Sequence, residues 1–271
     1  MWSPAPYRLG EGGRMRVPFM TPVIFILGAL LLVAGLWRMD ASPERIWLGL
    51  TKLGWLVALM WPPSAGGVFW ELLKSLLESL AMAFLGTLLA AVIAVPLALL
   101  GAGNVIGNVM LRFSARRFYD GLRGIDTLIW ALIFVAAVGM GPFAGILALA
   151  VPDIGVLAKL FSEALEGADR RQVEAVRAAG ANRVLAVRIG LMPQVSPVML
   201  SQVLYTLESN ARSSTVLGIV GAGGIGLALS DRIRINNWDE VAFIILLILG
   251  MVACIDWTSR KLRLKLIRPT A

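Results

Sequence analysis

From Leu80 to Leu100 the chain reads LAMAFLGTLLAAVIAVPLALL, with no charged residue. About 20 apolar residues are what an α-helix needs to cross the hydrocarbon core of a bilayer. Comparable apolar runs occupy Met20–Trp37, Leu128–Val138, Pro142–Leu160, Val195–Val220 and Val241–Trp257. Only 15% of the 271 residues are charged, against about 25% in an ordinary soluble domain. The expectation is therefore an all-α integral membrane protein with about six transmembrane helices.

The boundaries follow from local chemistry. The first run is preceded by Arg8, Arg14 and Arg16, as in a signal peptide, but no small-residue cleavage site follows. Trp37-Arg38 reads as an interface anchor, so the run is taken as a retained span. The run from Leu128 is short and meets Gly139-Met140-Gly141-Pro142, a tight turn that makes a hairpin with the next span. Ile46–Trp61 is broken by Lys52 and ended by Pro62-Pro63, and it reads as an interfacial helix. The resulting order is an N-terminal tail (1–19), a first span (20–37) and an external segment (38–77). A transmembrane core (78–258) and a basic C-terminal tail (259–271) complete it.

Charge placement orients this map. With both termini cytoplasmic, the two tails and the segments 103–123 and 159–188 hold eighteen of the 25 Lys and Arg. This asymmetry fits the positive-inside rule. The net charge of +8 then reports topology, and nucleic-acid binding is set aside. The chain has no histidine, so the commonest general base and metal ligand is missing. Cys254 stands alone, and no Lys follows a Gly, which excludes a phosphate-binding Walker loop. If ATP drives this protein, another chain binds it.

One polar stretch interrupts the apolar pattern: EAVRAAGANRVLAVRIGLMP, Glu174 to Pro193. Asp169 can cap a helix through Arg170 and Arg177, Gly180 permits a sharp turn, and Asn182 can cap a second short helix. Pro193 then opens the next span. Val173, Val176 and Ala179 on one side, with Glu174, Arg177 and Arg183 on others, suit docking into a groove on a soluble partner. The same residues suit an amphipathic helix lying on headgroups. The residues alone leave both open.

Two further features fall near the fifth span. Gly221-x-Gly223-x-x-Gly226 fits a dinucleotide fingerprint by letter. That motif needs a preceding strand within a soluble βαβ unit, whereas membrane spans flank this one. Gly218, Gly221, Gly223, Gly224 and Gly226 read instead as a helix break lining a wet cavity, or as tight helix packing. Just upstream, Glu208 and Arg212 stand four residues apart, in the favourable orientation on a helix. Either Glu208 neutralises Arg212, or Arg212 with Ser213, Ser214 and Thr215 forms a polar patch along an anion pathway. Asp126 and Asp153 lie at or near span boundaries.

The spacing of Glu174, Ala175, Gly180, Met192 and Pro193 resembles the EAA coupling motif of ABC importer permeases. Val176 departs from it where a small residue is usual, and Gly190 where isoleucine is common; the glycine is expected to loosen the second helix. The blocks KLFSEALEGADRRQVEAVRAAGANR, LMPQV and RSSTVLGIVGAGGIG, within about Lys159 to Gly226, resemble the phosphonate/phosphite branch. A weaker likeness extends back to Pro96–Leu99. The resemblance implies a MetI-like type I permease fold in a bacterial inner membrane. It implies docking of a separate ATPase dimer through Glu174, Ala175, Arg177, Gly180, Ala181, Asn182 and Pro193, with coupling helices at about 169–190. ATP and Mg would sit on that partner, with no cofactor or metal on this chain. A solute-binding protein delivers cargo, a second permease copy completes the pathway, and the glycines serve as gate or lining. The implied cargo is a phosphonate or related phosphorus oxyanion such as phosphite, hypophosphite or phosphate. An importer of another small solute is the runner-up. A secondary transporter leaves the coupling motif unexplained, and a membrane enzyme finds no histidine and only scattered carboxylates.

Overall fold

A computed structural model of the chain describes residues 20–39 and 42–267, with the side chains of 20–23, 183 and 267 set aside. The N-terminal tail and the last four residues lie outside that range. The described residues are helical and contain no strand. They divide into two units, 1–58 and 59–271. The first carries α1 (Met20–Arg38) and nearly all of α2 (Pro43–Leu59). α2 has no buried residue.

The second unit begins with α3 (Phe69–Gly101), followed by α4 (Val109–Arg123), α5 (Thr127–Val138) and α6 (Pro142–Glu166). Next come α7 (Arg170–Ala178) and α8 (Arg183–Leu185), then a π-helical segment (Ala186–Leu191) and α9 (Met192–Leu217). A 3₁₀ turn (Gly218–Val220), α10 (Ile225–Arg234) and α11 (Trp238–Ile267) close it. Among described residues α3, α6 and α11 are each long and apolar enough to span a bilayer. Three bent pairs meet that test only jointly: 24–38 with α2, α4 with α5, and 186–220 with α10. Counting each pair as one span gives up to six.

Two expected boundaries move. α3 has 33 residues, about 50 Å at 1.5 Å per residue, and begins eleven residues before Leu80. Glu71, Lys74 and Glu78 hide that start from hydropathy. Leu72 nevertheless packs with Ile225 and Ile244, and Ser79 is fully buried. The 77/78 boundary therefore falls inside a helix. Likewise the expected basic tail is helical to Ile267, with Ser259 buried.

α3 and α6 form the central pair. Hydrophobic burial gives little drive for helices to associate within lipid, so close approach of small residues matters more. Ala83, Gly86, Ala90, Ala94 and Ala98 recur every three or four residues along α3 and are buried. At Gly86 an added Cβ would stand 2.9 Å from Leu149 Cβ of α6. α9 packs against both helices and α11 lies on α9. Gly139 and Gly141 have φ of +92° and +142° and make the expected turn, with Pro142 opening α6. Asp126 caps α5, accepting from Leu128 N at 2.8 Å. Asp153 is no boundary residue: it sits mid-way along α6.

Candidate functional site

The polar segment folds as a capped helix, a left-handed turn and a second start. Asp169 accepts from Arg171 N at 2.9 Å and caps α7. Gly180 N donates to Arg177 O (2.9 Å) and Ala181 N to Val176 O (3.3 Å). This is the Schellman closure, which places Gly180 at φ +88°. Asn182 then accepts from Leu185 N at 2.8 Å. The caps expected at Asp169 and Asn182 are both present.

The second helix differs from expectation. It does not stop at Pro193 but runs on through the π segment into α9. Met192 N donates to Val187 O, five residues back. Pro193 has no N–H to give and would crowd the carbonyl four residues before it in a regular helix. The wider π turn accommodates both. Gln194 then ties the junction together: Asp169 N donates to its Oε1 (3.0 Å), and its Nε2 donates to Gly190 O (2.5 Å) and Asp169 O (3.3 Å). Sequence reasoning passed over Gln194.

Gly190 does not loosen the segment. A Cβ there would meet Val173 Cα at 3.1 Å, so the glycine lets α7 lie directly on the π turn. Val173 accordingly faces inward, packing with Val187 and Met192 against the core around Leu165 and Leu191. It is half-buried, as is Val176, and its remaining surface lines a cleft beside Glu174. Glu174, Ala175, Arg177, Gly180, Asn182 and Pro193 are exposed, and Ala181 is half-exposed. Glu174 and Arg177 line a cleft of about 290 Å³ with Asn104, Arg170 and Val187. Glu166 braces that cleft's rim, accepting from Gly103 N (2.8 Å) and pairing with Arg116 (2.7 Å).

The charges on α9 pair across to α11 rather than with each other. Glu208 Oε2 meets Arg263 Nη2 at 2.8 Å, and Arg212 Nη1 stands 3.9 Å from Asp256 Oδ1. Helical side chains lean toward their own N-terminus. Between antiparallel helices they therefore lean toward one another, and the tertiary pairs win. Of the two readings open in the sequence, the one in which Glu208 neutralises Arg212 gives way to these cross-helix pairs.

The run Arg212–Thr215 also splits, because consecutive helical residues point about 100° apart. Ser214 is buried and bonds Ala211 O, while Thr215 bonds Arg212 O. Ser213 is half-buried. What stays open is a stripe at three- and four-residue spacing, Tyr205, Ser209, Arg212, Val216 and Ile219, with the half-buried Gln202 one turn before it. Tyr205 is 58% exposed and the Arg212 side chain 54%. The spacing is present in the sequence, masked there by the consecutive polar run Arg212–Thr215. Behind the stripe, Asn210 Nδ2 donates to Thr87 Oγ1 (2.9 Å) and Asp153 Oδ2 (2.5 Å), joining α9 to α3 and α6.

The glycine break is buried from Gly221 to Gly226. A second Schellman closure ends the 3₁₀ turn: Gly221 N to Gly218 O (3.1 Å) and Ala222 N to Leu217 O (3.2 Å). Ser79 caps α10, accepting from Ile225 N at 2.9 Å. At Gly218 a Cβ would stand 2.6 Å from Gly226 Cα, and at Gly226 it would overlap the Thr215 carbonyl. Those two glycines serve packing. Gly221, Gly223 and Gly224 also line a cleft of about 440 Å³ with Glu71, Glu78 and Asp231, at the end of the bundle opposite α7.

Known proteins share both the sequence and this architecture. A phosphite transport system permease protein of Stutzerimonas stutzeri, PtxC, is 40% identical over 89% of this chain and 87% of its own. A phosphate-import permease protein of Mycolicibacterium smegmatis, PhnE, is 36% identical over 77% of this chain and 39% of its own. The permease chain solved in an inward-facing MetNI methionine ABC transporter superposes with a TM-score of 0.66 at 24% identity, covering 76% of this chain and all of that one. Residues 94–267 match the sequence profile of the binding-protein-dependent transport system inner membrane component, and the chain belongs to that family of ABC importer permeases.

Proposed function

We propose that this permease carries a phosphorus oxyanion, of the phosphite, phosphonate or phosphate class, through a pathway built on the open stripe of α9. The stripe is the observation that carries the reading. Polar and charged side chains on a membrane helix face a bundle interior, a partner or a water-filled path. Tyr205, Ser209 and Arg212 are exposed and Gln202 is half-buried, and Arg212 meets α11 only loosely, 3.9 Å from Asp256. Together they offer one cation and several neutral donors at successive turns, which suits an oxyanion. Asp256 tempers the Arg212 charge, so cargo is held weakly enough to leave. Two relatives named for phosphite and phosphate transport support the cargo class.

In this reading a second copy faces the stripe and closes the pathway. A separate ATPase dimer docks on the exposed face of Glu174, Ala175, Arg177, Gly180, Ala181, Asn182 and Pro193. ATP and Mg belong to that partner, and a solute-binding protein delivers cargo at the end holding Gly221, Gly223 and Gly224. The basic residues around α4 and α7 support a cytoplasmic position for both termini and the coupling segment in a bacterial inner membrane, by the positive-inside rule. Gln194 makes the docking element and α9 move as one body, so ATPase closure reaches the stripe.

The test is ATPase stimulation of the reconstituted complex by binding protein loaded with phosphite, a phosphonate, phosphate or an unrelated solute. Stimulation by phosphorus compounds alone is expected. A response confined to the unrelated solute overturns the cargo reading. Arg212→Ala should abolish uptake while assembly and ATPase activity persist, and normal uptake in that variant sinks the pathway role.

A further inference from the structure

α4 meets α5 at 82°. α5, TLIWALIFVAAV, is apolar throughout, and its Leu128, Ile129, Leu132 and Ile133 are exposed. α5 has 12 residues, about 18 Å, and sits within the apolar layer of the bilayer; α4, bent sharply from it, therefore lies close to the membrane plane, at the end that carries α7. α4 is anchored on its inner side: Tyr119 is fully buried and donates to Leu97 O, and Arg116 pairs with Glu166 at 2.7 Å. Its outer side carries Val109, Met110 and Phe113, each more than half exposed. The Arg117 guanidinium lies 5.3 Å from the centre of the Phe113 ring, its stem running along apolar surface while the head reaches outward.

The charges there are unbalanced. Asp120 faces three cations: Lys159 at 3.2 Å, Arg117 at 3.4 Å and Arg123 at 3.9 Å. One carboxylate among three cations leaves two positive charges. The Arg117 and Arg123 heads are 65% and 44% exposed. An apolar face in the membrane plane, continuous with a lipid-facing helix and bordered by surplus positive charge, is the pattern of a helix seated on an anionic surface.

We propose that α4 is an in-plane helix that binds an anionic phospholipid of the leaflet on the α7 side. The headgroup phosphate lies between Arg117 and Arg123, and the acyl chains lie against Val109, Met110 and Phe113. Because the coupling segment follows directly from α6, on which α4 packs, this lipid seats the docking platform at a fixed depth.

The experiment is native mass spectrometry of the full-length permease, released from mixed micelles of phosphatidylglycerol and phosphatidylcholine. Preferential retention of phosphatidylglycerol is expected. The double variant Arg117→Gln/Arg123→Gln should lower that affinity roughly 5-fold per arginine, about 25-fold in all, as expected for basic residues at an anionic surface. Arg117→Lys/Arg123→Lys keeps the charge and serves as the folding control, and should retain most of the preference. Millimolar phosphite or phosphate should not displace the lipid. Equal retention of the two lipids by the native chain overturns the proposal and assigns the face to a protein partner. Displacement by free phosphate or phosphite overturns it in favour of a soluble-anion site. A preference unchanged in the Gln variant overturns the assigned residues.

Discussion

Glu208 has two possible arginine partners, and they make different thermodynamic demands. The structure pairs it with Arg263 at 2.8 Å, with side chains only 15% and 26% exposed. At an effective dielectric of about 20 the gross attraction is roughly 6 kcal/mol. Desolvation of both ions offsets much of it, leaving a coupling on the order of 2 kcal/mol, the range for hydrogen bonds to charged groups. Glu208→Ala should therefore destabilise the protein by roughly 2–3 kcal/mol, because Arg263 is left largely buried without its carboxylate. Arg212 faces Asp256 at 3.9 Å and is 54% exposed, so that pair should contribute at most about 0.5 kcal/mol. An intrahelical Glu208–Arg212 pair would likewise give only about 0.3–0.5 kcal/mol. Double-mutant cycles read from reversible unfolding in mixed detergent–lipid micelles separate these cases. The 208–263 cycle should show several times the coupling of the 208–212 cycle, and the charge swap Glu208→Arg/Arg263→Glu should recover part of the loss. Equal couplings, or a swap no better than its single variants, would refute the cross-helix reasoning.

Three further outcomes follow from the same contacts. Gly226→Ala drives a Cβ into the Thr215 carbonyl, a backbone atom that cannot swing away, and should cost about 3 kcal/mol; Gly121→Ala, with open space around it, should leave thermal unfolding unchanged or slightly raised. Asn210→Leu strands the Asp153 and Thr87 oxygens and should lower unfolding stability by about 1–3 kcal/mol, more than Thr87→Val does. Gln194→Ala removes three hydrogen bonds between Asp169, Gly190 and α9; uptake should fall while ATPase activity of the assembled complex persists, and parallel loss of both activities would argue against a transmission role.

Much of the molecule was legible because the strongest sequence signals are local. Asp169, Gly180, Asn182 and Asp126 act within four residues of themselves, and each takes its expected place. Apolar runs located the long helices correctly, since bilayer thickness and backbone satisfaction act on the segment itself. Ends were less legible: hydropathy stops at Glu78 and again near Arg260, but the helices continue because their inner faces still have neighbours to pack on.

The sequence by itself determined the class of molecule: helices that live in lipid, interrupted by one polar, arginine-bearing segment, read from apolar length, charge placement and turn chemistry. Tertiary structure alone decided which charges meet and which polar residues stay open. Arg212 reaches Asp256 and Glu208 reaches Arg263 because two antiparallel helices lean their side chains toward each other, a relation spanning about fifty residues that no local spacing encodes. Val173 turned inward and Gly190 tightened the turn for the same reason. A side chain's face is fixed by the helix, but what that face meets is fixed by the neighbour.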